Sequence, residues 1–480
     1  MNEPSAAKIE DVSWTYDGSD APVLSGLNLT VEPGRAILLC GPSGSGKSTA
    51  LRLLNGLIPH LHKGQLAGTV ELFGDDVRHL DWDELGRATG SVWQHPFRQF
   101  FTDRVVEEIA FGLENRGEPP PRIRERIDDL LTQHDLTSIR HSTLRHLSSG
   151  RQQQVAALAA IAHRPRLLLL DEPTANLAAE AVTDFVAGLA RLRNAGVTIV
   201  VAEHRIAPFL DLVDEIVAFG NGRVKATWTV EKFRRLSDSD LTNHGLRPVT
   251  VSTATSTPIA ARGASIVGSS DDADSTGTGG LVLNDIVCSH GRNVVLDIDR
   301  AHLPAGRVTA VCGPNGAGKT TLARVLSGLL RHRGTVEFAG RPVTRANRPR
   351  LTTLVPQEVQ RQLYGETVHS ELDLGPAAVA PERRNALLKR LDLDDVGERH
   401  PLSLSGGQQQ RLAVAVSVLG DRPVVVLDEP GTGVDARHLT VIAELVTELA
   451  EAGKIVILIS HDRQLLGMTA DHELTIQPPR

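Results

Sequence analysis

Two eight-residue loops, GPSGSGKS (Gly41–Ser48) and GPNGAGKT (Gly313–Thr320), carry residue types and spacing suited to phosphate chemistry. Each satisfies GxxxxGK[ST] between a short apolar run and a segment of helical spacing, the setting in which this pattern wraps phosphate. Gly41, Gly44 and Gly46, and likewise Gly313, Gly316 and Gly318, let backbone N–H groups turn inward around phosphate oxygens. Pro42, Ser43 and Ser45 complete the first cradle, and Pro314, Asn315 and Ala317 the second. The helix N-terminus after each loop adds about half a positive charge. Lys47 and Lys319 have the length to reach terminal phosphates, and the Ser48 and Thr320 hydroxyls are placed to ligate Mg²⁺.

Two pairs of carboxylates follow, in LLLLDEP (167–173) and VVVLDEP (424–430). Asp171 and Asp428 are expected to hold Mg²⁺, mostly through water. Alternation along a strand should send Glu172 and Glu429 in a different direction from the aspartate before each. A carboxylate near the terminal phosphate can orient and deprotonate an attacking water, so these two are the candidate general bases.

The elements that position these groups occur twice. RAILLCGPSGSGKSTALRLLNGL (35–57) matches RVTAVCGPNGAGKTTLARVLSGL (307–329), and LSSGRQQQVAALAAIAHRPRLLLLDEPTANLA (147–178) matches LSGGQQQRLAVAVSVLGDRPVVVLDEPGTGVD (404–435). The offset is 272 at the lysines and 257 at the aspartates, so the second copy is 15 residues shorter. Continuous apolar runs such as RLLLLD, VVVLD, VTIVVAEH and KIVILISH, bounded by turns, suit parallel strands covered on both faces. The expected class is α/β, two phosphate-loop domains in tandem: residues 1–235, a flexible linker over 236–280, and residues 281–480. The linker is rich in Ser, Thr, Gly, Asp and Ala, and at least residues 268–280 should be disordered.

Composition narrows the function. Hydrophobic residues make up 41% of 480 and charged residues 23%, ordinary for a globular chain. No apolar run is long enough to span a bilayer, and MNEPSAAKIEDVSW has no signal-peptide pattern. A net charge of −7 argues against a nucleic-acid partner held by phosphate neutralisation. Cys40, Cys288 and Cys312 form no CxxC pair, which argues against zinc or iron–sulfur ligation.

LSSGRQQQ and LSGGQQQR, together with the loops, resemble the signature of ATP-binding cassette (ABC) ATPases. The resemblance covers nearly the whole chain outside the linker and implies ATP and Mg²⁺ as ligands. It implies that the two halves pair, with Ser148 and Gly150 of one signature, and Ser405, Gly407 and Gln408 of the other, each facing ATP held by the opposite half. By the same resemblance Gln94 and Gln357 are Q-loop residues that touch Mg²⁺, and His204 and His461 are switch histidines that contact the γ-phosphate. Tyr16 lies where an aromatic stacks on adenine, with His290 at the corresponding later position. The first signature has Arg151 where the second has Gln408, and Ala178 stands where the second half has Asp435, so the two sites are expected to be unequal.

QHPFRQFFTDRVVEEIAFGLEN (94–115) and VVAEHR (200–205) are similar to segments of energy-coupling-factor (ECF) transporter ATPases. That likeness implies a peripheral subunit at the cytoplasmic face of the membrane. Its partners would be a membrane-spanning scaffold and a substrate-binding membrane subunit that import a vitamin or a transition-metal ion. Phe97, Phe100, Phe101 and Phe111 cluster here and are candidate anchors for a membrane partner. Two alternatives are a soluble twin-cassette ATPase acting on ribosomes and a tandem sugar-import ATPase. The first usually has a charged helical arm or iron–sulfur cysteines, and the second usually a degenerate second loop; this chain has none of these.

Overall fold

The computed structural model describes residues 4–19, 21–94, 96–174, 177, 179–247, 279–291, 293–314, 316–374 and 380–478. The chain divides into two compact units, Met1–Val251 and Ser252–Arg480.

In the first unit, β1 (Ala7–Tyr16), β2 (Leu24–Val31), β4 (Gly64–Leu72) and β5 (Asp75–Asp76) form an antiparallel sheet in the order β2-β1-β4-β5. Strands β3 (Ala36–Cys40), β6 (Thr89–Val92), β7 (Leu167–Asp171), β8 (Thr198–Ala202), β9 (Glu215–Gly220) and β10 (Arg223–Thr229) form a second sheet, ordered β10-β9-β3-β8-β7-β6. Only β10 runs antiparallel to its neighbour; the other pairings are parallel. The apolar runs are buried on both faces, and the two-residue alternation of a strand divides them between two cores. Ile37, Leu39, Leu167, Leu169, Val200 and Ala202 face the antiparallel sheet and the helix Lys47–Leu54. Leu38, Cys40, Leu168, Leu170, Ile199 and Val201 face the helices Val105–Asn115, Pro120–Gln133, Ser149–Ile161 and Ala179–Asn194.

The second unit repeats the plan. Strands β11 (Gly280–His290), β12 (Asn293–Pro304), β14 (Arg333–Phe338) and β15 (Arg341–Pro342) are antiparallel, in the order β12-β11-β14-β15. Strands β13 (Arg307–Cys312), β16 (Thr352–Val355), β17 (Val424–Asp428), β18 (Ile455–Ile459) and β19 (His472–Thr475) form an all-parallel sheet ordered β16-β17-β18-β13-β19. The offset between the units falls in three steps: 266 at Gly68 and Gly334, 263 at Gln94 and Gln357, and 257 at Ser148 and Ser405. The shortening is therefore spread over connections and the helical region.

Residues 236–247 extend the first unit, where composition places the start of the linker. Ser237 caps the helix Asp238–Asn243: its Oγ accepts the Asp240 N–H at 3.2 Å, and Asp240 accepts the Ser237 N–H at 2.9 Å. Leu241 and Leu246 are buried in the first core, and Leu236 packs against it. The serine and aspartate that look like low complexity are the two members of a capping box, and six helical residues are too few to display a period. At the far end Gly280 already pairs with Pro304. Of the disorder expected over residues 268–280, the part over 268–278 lies outside the described residues, whereas Gly280 is ordered at the start of β11. Leu241→Ala should destabilise the first unit by about 2–4 kcal/mol, the usual range for a buried leucine. Denaturant unfolding monitored on the first unit measures this; a change below about 0.5 kcal/mol, the scale of an ordinary surface substitution, would mean that the segment only lies on the surface.

Candidate nucleotide-binding sites

Each phosphate loop leaves the end of a central strand through a turn with no room for a side chain. Gly41 and Gly313 adopt φ of 136° and 146°. A Cβ at Gly41 would lie 2.3 Å from the Phe219 carbonyl oxygen, and one at Gly313 2.3 Å from that of Ile476. Gly46 and Gly318 open the following helices at φ 103° and 100°, where a Cβ would come within 2.6 Å of Leu24 and 2.4 Å of the Val295 carbonyl. Gly44 and Gly316 are also left-handed. Lys47 and Lys319 are buried at the first position of these helices. Lys47 Nζ donates to the Gly41 and Pro42 carbonyls at 2.9 and 3.0 Å, and Lys319 Nζ to those of Gly313 and Pro314 at 2.8 and 3.0 Å. Each ammonium arches over its own loop, positioned to exchange carbonyl oxygens for anionic ones.

The carboxylates stand beside the loops. Ser48 Oγ donates to Asp171 at 2.8 Å, and Thr320 Oγ1 to Asp428 at 2.9 Å. Burial, followed by the charge of Glu172, raises the Asp171 pKa to about 6; burial also raises Asp428. A paired hydroxyl and carboxylate are hard oxygen donors of the kind that Mg²⁺ takes alongside phosphate and water. Glu172 and Glu429 diverge from these aspartates for a different reason from strand alternation. Both strands end at the aspartate, and both glutamates adopt left-handed backbone, φ 45° and 56°. Such a conformation costs on the order of 1 kcal/mol in a non-glycine residue and persists where its surroundings impose it. Here the Glu172 N–H donates to Ala202 and that of Glu429 to Ile459, each at 2.8 Å.

The two glutamates have different partners. Gln94 Nε2 donates to Glu172 Oε2 at 2.8 Å, and His204 Nε2 lies 3.1 Å from Oε1. Glu429 accepts the His461 backbone N–H at 3.0 Å and the Ser460 hydroxyl at 3.3 Å, with the His461 ring 3.9 Å away. Burial raises the Glu429 pKa to about 7. Gln357 is exposed and bonds neither Asp428 nor Glu429, whereas Gln94 reaches the glutamate and not Asp171. Glu203 was not singled out from the sequence. It stands where the second unit has Ser460, is buried, and has its pKa raised to about 7 by burial and then by the Glu172 charge.

The signatures begin helices, as their Ser and Gly content requires. Ser405 caps Gly406–Leu419 in a reciprocal box: the Gln408 backbone N–H donates to Ser405 Oγ at 3.3 Å, and the Gln408 side-chain Oε1 accepts the Ser405 N–H at 3.0 Å. Ser148 accepts the Arg151 N–H at 3.4 Å, but a guanidinium cannot accept in return, so the first box is half made. Gly150 and Gly407 are buried, and a Cβ at Gly150 would meet Ala181 at 3.0 Å. Asp435 is buried as the cap of Ala436–Glu451, accepting the His438 N–H at 3.0 Å. Tyr16 is half-buried, edge-on to Trp14 and His62 at 5.4 and 5.9 Å, and its hydroxyl accepts from Arg52 at 3.1 Å. Asn315, Ala178 and the His290 side chain lie outside the described residues.

The ABC transporter family model matches residues 24–175 and 296–432. The chain belongs to the ABC transporter family. It is an ATPase with two cassettes in tandem. An ABC transporter ATP-binding protein of Treponema denticola is 33% identical over 459 residues, covering 95% of this chain and 92% of the relative. One of Streptomyces avermitilis is 32% identical over 517 residues, covering 98% and 91%. Among solved structures, RNase-L Inhibitor superimposes with a TM-score of 0.62 at 21% identity, covering 98% of this chain and 90% of that one. At that identity the likeness shows a shared fold.

Both cassettes hold the loop after Gln94 or Gln357 with a carboxylate that was not expected from the sequence. Glu108 accepts the Phe101 and Thr102 N–H groups at 3.0 and 2.9 Å; Glu371 accepts those of Tyr364 and Gly365 at 2.7 and 2.6 Å. Both carboxylates are buried. The loops so fixed present Phe101 and Tyr364 outward, 76% and 77% exposed. Phe97 is also exposed, whereas Phe100 packs against the core and Phe111 stacks under Phe101 at 4.6 Å. The only sequence trace was the shared glutamate in EEIAFG and SELDLG.

The signature caps yield a paired prediction. Arg151→Gln should complete the first box and stabilise its unit by about 0.5–1 kcal/mol, while Asp435→Ala should destabilise the second unit by about 1–2 kcal/mol. Denaturant midpoints decide; a loss of stability in Arg151→Gln would contradict the capping argument.

Proposed function

We propose that the chain is the ATP-hydrolysing subunit of an ECF-type importer, with its two halves paired, at the cytoplasmic face of the membrane. Its partners would be a membrane-spanning scaffold and a substrate-binding membrane subunit, and its cargo a vitamin or transition-metal ion. The observation that carries this reading is the duplicated docking loop: an exposed aromatic, pinned by a buried glutamate, seven residues after each Q-loop glutamine. Exposed aromatics on a rigid loop are typical anchors for a partner. Among the described residues no helix is long and apolar enough to cross a membrane, which supports separate membrane partners.

In this reading the loop N–H groups and Lys47 or Lys319 bind the phosphates of ATP. Ser48 with Asp171, and Thr320 with Asp428, would hold Mg²⁺, which neutralises phosphate charge when bound. Glu172 and Glu429 orient and deprotonate the attacking water. His204, kept neutral first by burial and then by the Lys47 charge, can donate a hydrogen bond to the terminal phosphate without adding charge. Gln94 ties Glu172 to the docking loop, so partner movement can reach the base.

Glu172→Gln should keep ATP binding and slow hydrolysis by roughly 10²–10⁴-fold at its own site. Because Gln94 and His204 both engage Glu172 while Gln357 is exposed, Glu172→Gln should remove more of the total activity than Glu429→Gln. Steady-state phosphate release from the assembled transporter tests this, and equal residual activities would refute the inequality. Separately, Phe97→Ala with Phe101→Ala should weaken recovery with a co-expressed membrane scaffold by roughly tenfold or more while leaving nucleotide binding unchanged. Undiminished membrane recovery would sink the docking assignment.

A further inference from the structure

The segment that follows β10 returns to the first phosphate loop. After the helix Asp238–Asn243, the His244 ring meets Trp228 edge-on at 4.9 Å, and Leu246 is buried in the core. Gly245 lies between them at φ 70°, and a Cβ there would come within 3.3 Å of Pro42 Cγ. The backbone two residues before Arg247 is thus packed on the loop whose Gly41 and Pro42 carbonyls hold Lys47. Arg247 is half-buried, and its charge, like that of Lys47, acts on the His204 ring. His204 in turn lies 3.1 Å from Glu172. Arg247 thus follows a segment packed on the phosphate loop and lies within electrostatic range of His204, as Lys47 does.

We propose that Arg247 is a phosphate-binding residue of the first cassette, a second cation for the terminal phosphate of bound nucleoside triphosphate. This rests on the ATP-binding reading above. A planar guanidinium offers paired N–H donors that match a phosphate oxygen pair, where Lys47 supplies a point charge. Its backbone is held by a segment outside the phosphate loop, so occupancy of the first site is tied to the docking of residues 236–247. A diphosphate lacks the group that Arg247 contacts, so the residue contributes to discrimination between triphosphate and diphosphate.

The test uses the full chain carrying Lys319→Ala, so that calorimetric titration reports the first loop. The probes are Mg²⁺ with the non-hydrolysable β,γ-imido analogue of ATP, and Mg²⁺ with ADP. Arg247→Ala should weaken binding of the triphosphate analogue by about tenfold, as for loss of a charge-assisted hydrogen bond, and change that of ADP by less than about twofold. Arg247→Lys should restore part of the difference. Lys47→Ala, measured alongside, should weaken both. An unchanged triphosphate-to-diphosphate ratio in Arg247→Ala, whether from no loss or from equal loss, overturns the proposal while leaving the phosphate-loop reading standing. No effect of Lys47→Ala would overturn both.

Discussion

The close approach of a glycine to a neighbouring strand governs each cassette. Gly41 and Gly313 turn against the carbonyls of Phe219 and Ile476 with no space for a Cβ, and that turn points the following N–H groups and lysine at one place. The approach exists because β3 and β13 are interior strands. β3 pairs with β8 and β9, and β13 with β18 and β19, so neighbours lie on both sides. Crossovers from a central strand leave a crevice at the carboxyl ends of parallel strands, and the phosphate loop opens into it. Asp171 ends β7 and His204 follows β8, so the sheet order brings the carboxylates and histidine to the same edge.

On this shared skeleton the two sites are built from different contacts. The first places Gln94 and the His204 ring on Glu172 and buries Glu203 nearby. The second holds Glu429 through a backbone N–H and the Ser460 hydroxyl. Both glutamates carry a left-handed backbone imposed by the neighbouring strand, a constraint that swings the carboxylate out of the sheet. The signatures show the same pattern of one frame with unequal detail, since Gln408 closes a cap that Arg151 cannot.

Buried carboxylates serve two separate purposes in this molecule. Asp171 and Glu429 are pushed toward protonation by burial and stand in the chemical sites. Glu108 and Glu371 are buried and each accept two adjacent backbone N–H groups, which fixes the loops that display Phe101 and Tyr364.

Local pattern alone determined the tandem α/β plan, the two phosphate loops, the carboxylate pairs and the signature helices. Each depends on short-range rules: glycine at a turn, apolar runs of strand length, and a capping serine before a helix. Tertiary structure decided what depends on contacts distant in sequence. Gln94 meets Glu172 across 78 residues, and its counterpart Gln357 does not meet Glu429, although the two glutamines occupy the same register. Asp435 caps a helix, a use indistinguishable in sequence from a free loop carboxylate. Residues 236–247 look like linker because their hydrophobic count is low, yet three leucines suffice once a core lies beneath them. Spacing identifies the residues able to do chemistry; which of them share a site is settled by strand order, where residues far apart in the chain become neighbours.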